Sequence, residues 1–153
     1  MRTAQRGGYT ITAREIMESA AARTAGALSD SEKLRALSEL DNKIYEDIIL
    51  RHEGAEAYMQ PVAGGEYVHR AFPYTSDLQE LIAPHRFRKM YIHYLCLEAD
   101  LARDEIDRYT NDLILFHDAF DAFFAHYHQT HMPCCPAKIK APRAFLRRDS
   151  HAQ

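Results

Sequence analysis

The sequence is poor in the residues that announce special architectures. It has no tryptophan, six glycines and six prolines in 153 residues, so a collagen-like or linker-dominated chain is excluded. Its three cysteines, Cys96, Cys134 and Cys135, are an odd number with no secretory context. That argues against a disulfide framework and for reduced thiols. No stretch approaches the roughly 20 apolar residues a membrane span needs. The opening "MRTAQRGGYTITAREIM" has no hydrophobic run, so no signal peptide is expected. Net charge is -3, too mild to name a partner. These absences lead us to expect a soluble, intracellular protein without a membrane partner.

What is present is helical. The glycines and prolines cluster near Gly7-Gly8, Gly26, Gly54, Pro61 to Pro73, Pro84 and from Pro133 onward, and helix-forming sequence fills the gaps. Residues Thr12 to Arg23, "TAREIMESAAAR", predict a first helix capped by Thr12 with Glu15 as the reciprocal partner. "SDSE" at Ser29 to Glu32 is a second capping box. It opens a helix whose Leu34, Leu37, Leu40, Ile44 and Ile48 recur at helical spacing, and Gly54 ends it. Asp41 falls within that apolar stripe. A buried carboxylate needs a partner or it protonates, so Asp41 is expected to set helix register through a polar contact.

The stretch after Gly54 is too broken for a helix. A short strand or hairpin is expected from Tyr67 to Phe72, paired with Glu80 to Ala83. A third helix should start near Pro84. It places Phe87, Met90, Tyr91, Tyr94, Leu97 and Leu101 on one face and Ile92, Leu95, Cys96 and Ala99 on another. Only His93, Asp100 and Arg103 interrupt the remainder. A helix apolar nearly all round is central or also meets another chain. The fourth helix runs from Asp104, the expected cap, to about His128. Ile106, Tyr109, Leu113, Phe116, Phe120, Phe123, Phe124 and Tyr127 line one face of it. The two helices make an antiparallel hairpin, or one continuous helix, since no Gly or Pro forces a break.

The expected fold is therefore all-α: four to five helices built round a long helical hairpin, with at most a small β-hairpin between helices two and three. Residues 1–133 form one domain. Residues 134–153 form a basic tail carrying Lys138, Lys140, Arg143, Arg147 and Arg148 against one acid, Asp149.

No motif specifies catalysis. His117 and Asp121 are spaced for a surface i,i+4 pair without an accompanying nucleophile. The only Glu-x-x-His match, Glu66 to His69, lies outside the helices and does not make a di-iron site. His126, His128, His131, Cys134 and Cys135 are zinc-ligand types, but their spacing fits no structural zinc pattern. No catalytic residue, cofactor or metal is expected. A small helical metal- or ligand-binding protein using this His/Cys-rich end is the alternative reading. A third is a DNA-binding module using the basic tail, although Phe145 is its lone aromatic and stacking platforms need more.

Three segments carry a family likeness: "LSDSEKLRALSELDNKIYEDIILRHEG", "PYTSDLQELIAPHRFRKMYIHYLCLEADLA" and "QTHMP". Over roughly Thr12 to Pro133 the chain resembles the head–tail connector (adaptor, or head-completion) proteins of long-tailed phages and prophages. The Ala-rich first helix and the basic tail depart from that pattern. The resemblance implies a structural protein and not an enzyme. Its copies would form a dodecameric ring under the portal, in the host cytoplasm during assembly and then at the virion neck. The partners would be sister copies, the portal protein and tail-completion proteins, with non-specific contact to packaged DNA. On this reading Ile92, Leu95, Cys96 and Ala99 are candidate subunit-interface residues, unless the first helix covers them. The five tail cations are candidates to meet the portal or DNA.

Overall fold

The computed structural model describes residues 9–61, 67–69 and 72–134. The five tail cations lie outside the described residues. Five α-helices occur among the described residues: α1 Ala13–Ser19, α2 Ala21–Thr24, α3 Asp30–Asp47, α4 Arg88–Ala102 and α5 Ile106–Thr130. The expected all-α fold is the one observed, with α4 and α5 as its hairpin.

Both capping boxes form. Thr12 and Ser29 each accept from the backbone N–H three residues on, while Glu15 and Glu32 reach back to the cap N–H groups, so orphan donors at both starts are satisfied. The ends differ from expectation. The first helix divides at Ala20 into α1 and α2. The second stops at Asp47, not Glu53, and passes through a 3-10 turn, Ile49–Arg51, to Gly54 in the left-handed region at φ 93°. The Ile48 carbonyl there meets the His52 ring at 2.7 Å, a side-chain cap that ordinary helical spacing does not disclose.

The hairpin break is also specific. Asp104, expected as the cap of the fourth helix, instead adopts φ 60°, a region asparagine and aspartate tolerate better than most residues. Glu105 N–H reaches Asp100 O at 2.9 Å and Asp104 N–H reaches Leu101 O at 3.1 Å. This pair of bonds is a Schellman closure of α4, so α4 and α5 are separate helices and Glu105 is the residue preceding α5.

The small β element pairs differently from expectation. Strand β1, Met59–Pro61, pairs antiparallel with β2, Tyr67–His69, in the register Met59 to His69, Gln60 to Val68 and Pro61 to Tyr67. Glu80 bridges Thr12 instead. Bonds from Ala13 N–H to Gln79 O and from Leu81 N–H to Ile11 O tie the residues entering α1 to the segment before α4.

The core joins α1, α3 and both hairpin helices. Ile16, Leu37, Leu40, Ile44, Ile48, Met90 and Leu95 are buried, in keeping with the predicted α3 stripe. Ring contacts lace α4 and the residue that caps it to α5: Phe87 to Phe123 at 5.2 Å and Tyr94 to Phe116 at 5.3 Å between centroids. Three residues assigned to apolar faces are outside, Ile106 at the start of α5 among them. Leu101 is exposed because it lies at the hairpin turn, and Phe124 is exposed on the flank of α5.

Candidate functional site

Two buried polar clusters, one histidine contact and one apolar edge are the chemically distinctive features. Asp41 lies near the middle of α3 and is fully buried. Its carboxylate accepts from the Tyr74 and Tyr91 hydroxyls, both at 2.5 Å, and from the Ile82 N–H at 3.1 Å. Tyr91 Oη in turn accepts from Ala83 N–H at 2.9 Å, and Ser38 Oγ, one turn before Asp41, accepts from Tyr74 N–H at 2.9 Å. Burial and the Asp41 charge push the Tyr91 hydroxyl well above its ordinary range, so it stays a neutral donor. Asp41 therefore performs the expected task of fixing register. It clamps residues 74–83 and α4 to α3 by hydrogen bonds to a charged acceptor, which are stronger than neutral ones.

The second cluster was not foreseen. Arg23, at the end of α2, donates to both oxygens of Asp100, the nearer at 3.2 Å, and also to Asp112 of α5. Both aspartates are buried, while the Arg23 side chain is 44% exposed. Burial raises the Asp100 carboxyl, and its bond with Asp112 adds to that rise. Burial also pushes Asp112 upward, but the bonds from Arg23 and Asp100 with the Arg23 charge outweigh it and hold Asp112 below its ordinary range. Asp112 is thus the stronger acid of the two and Asp100 the weaker, the usual divergence for two carboxyls in contact. Arg103 completes the clamp by donating to the Arg23 and Ala25 carbonyls, both at 2.6 Å. His93 stands 4.0 Å from Asp112, and burial keeps its imidazole below the usual value. The signal lay in plain view: His93 and Asp100 interrupt the apolar faces of α4, and Arg103 follows at its end.

The candidate interface residues divide. Leu95, Cys96 and Ala99 are buried within the chain, in a helix packed against α1, α2, α3 and α5. The chain itself covers them, so they are not a free face for a second copy. Ile92 is half-buried. Several exposed apolar side chains lie on α5, at Ile106, Ile114, Leu115 and Phe124. Ile106 is 57% and Phe124 43% exposed, and between them in sequence stand Leu113 and Phe120, half-buried and packed partly against the core. Their spacings of seven, seven and four residues keep them in one row.

The histidines proposed as ligands do not converge. Among the described residues no group of three or more His, Cys, Asp or Glu side chains is placed to hold a metal ion. His126 packs on Phe87, His131 stacks on Tyr127 at 3.8 Å, and His128 meets His52 of the 3-10 turn. Cys134 is exposed, and Cys135 lies outside the described residues. His117 and Asp121 are both exposed. Among the described residues no helix is long and apolar enough to cross a membrane.

No family model, curated protein or solved structure matches the chain.

Proposed function

We propose that the chain is a structural subunit of a phage or prophage head–tail connector, without catalytic activity, that assembles with sister copies into a ring beneath the portal. The observation that carries this reading is the apolar row Ile106, Leu113, Phe120 and Phe124 along α5. A closed ring needs a heterologous contact, one surface of each subunit meeting a different surface of the next, and this row serves as one of the two. The buried acids support the same reading. Asp41 is used in binding residues 74–83 to the helices, and Asp100 and Asp112 in binding α2 to the hairpin. The basic sequence after Cys134 supplies five cations for the portal or for packaged DNA, where contact would be phosphate-directed and non-specific.

The experiment is mass measurement with and without the ring of the portal protein encoded alongside it. The wild-type chain is expected to add as a ring to the portal. The double variant Ile106→Glu/Phe124→Glu should retain helicity and its unfolding transition yet fail to assemble. Equal assembly by both proteins overturns the α5 edge, and wild-type protein that never joins a portal overturns the connector reading.

A further inference from the structure

We infer that His52 and His128 form a proton-operated clasp that holds the segment leading into the basic tail, residues 131–134, against the end of α3. The inference is independent of the connector reading and begins with hydrogen positions. His52 is buried and its Nδ1 lies 2.7 Å from the Ile48 carbonyl. A carbonyl only accepts, so His52 Nδ1 carries a proton. Its Nε2 lies 3.1 Å from Nδ1 of His128. In the neutral pair Nε2 of His52 is a lone pair, so His128 must carry its proton on Nδ1 and donate it. Each tautomer is thus set by the bond beside it.

The consequence follows from counting protons. One added proton is accommodated on Nε2 of His128, because its Nδ1 donor then makes a charge-assisted N–H···N bond to His52. A second is not: it leaves no lone pair between the rings and sets two cations in contact, one of them buried. Protonation of both rings therefore opens the clasp.

Among the described residues, several titratable groups flank the pair. The turn contributes Arg51 and Glu53, both exposed, and the end segment contributes exposed Cys134. From α5, Tyr127 meets His52 edge-on at 5.2 Å, and His131 is turned to the Tyr127 carbonyl at 3.1 Å. What the clasp secures is short. Glu53 N–H bonds to Met132 O and Cys134 N–H to Arg51 O, both at 2.8 Å, beside a bridge between His52 and Pro133. The chain then enters the stretch containing Lys138, Lys140, Arg143, Arg147 and Arg148, so opening the clasp moves the anchor point of a cationic segment.

The test is amide NMR and hydrogen exchange, corrected for intrinsic rate, between about pH 8 and about pH 5, the interval in which histidine changes charge. In the wild-type chain the Glu53 and Cys134 amides should lose protection by about tenfold or more on acidification, while the Ile82 amide on Asp41 keeps its own. In His128→Gln, which cannot become a second cation, both amides should be insensitive to this pH change. Nitrogen-15 shifts should place the proton on Nδ1 of both rings at the alkaline end. Unchanged wild-type protection, equal loss in the glutamine variant, or an Nε2-protonated His52 would each overturn the inference.

Discussion

The two buried aspartate clusters solve one problem in opposite ways. Asp41 is sealed and is served by two hydroxyls and an amide. Asp100 and Asp112 share a guanidinium that is itself half in water. In the first, the Tyr74 and Tyr91 hydroxyls and the Ile82 amide are buried with the acceptor, so losing it removes the partner of each. In the second, the cation has solvent to turn to. The difference teaches that burial of a charge says little about its worth until the fate of its partners is known.

Removing the acceptor of the sealed cluster should cost most. Asp41→Ala leaves the Tyr74 and Tyr91 hydroxyls and the Ile82 amide short of an acceptor, at about 1–3 kcal/mol per stranded group. The expected outcome in a denaturant titration is loss of about 4 kcal/mol or more, or failure to fold. A loss near 1 kcal/mol would show that water enters this cluster too. An apolar control in the same helix, Leu37→Ala, should cost about 2–5 kcal/mol. Leu95→Glu, at a fully buried position, should abolish folding and not merely assembly.

The second cluster should respond less and asymmetrically. Asp112 is held below its ordinary range, so its contribution is complete above the unfolded carboxylate range near pH 4 and is lost as pH falls through its lower folded value. Asp100 is raised, so its contribution is complete below that range and is lost as pH rises through its folded value. At neutral pH, Asp112→Asn should therefore cost about 1–2 kcal/mol, and Asp100→Asn should lie within about 1 kcal/mol of wild type or above it. Unfolding midpoints across pH check both, and equal losses at neutral pH would contradict the opposite shifts of the two acids.

Glu98 sharpens the comparison from the weak end. It is half-buried and raised by burial, then by the Glu39 charge, against the opposing Arg35. A raised acid favours folding at low pH and loses that contribution as pH rises through its folded value. Glu98→Gln should leave neutral-pH stability within about 0.5 kcal/mol of wild type while flattening its decline with rising pH.

Much of this was legible in the residues. The capping boxes, the α3 stripe and the hairpin are consequences of contacts three or four residues apart, which a helix enforces whatever surrounds it. Asp41 was legible as a misfit on an apolar face, though its donors Tyr74 and Tyr91 were not, since they come from 33 and 50 residues away. His93, Asp100 and Arg103 were visible as interruptions, but nothing local joined them to Arg23. The α4 face bearing Leu95 and Ala99 read as available because periodicity reports that a face is apolar and not what covers it.

The sequence by itself determined where helices begin, which faces avoid water, and that Asp41 required a partner, because propensity, capping and amphipathicity act over one or two turns. Only the tertiary structure decided which faces remain exposed, where α1 and α2 part, and which of two aspartates is the stronger acid. Those depend on groups brought together from distant parts of the chain, and on water excluded by the whole fold.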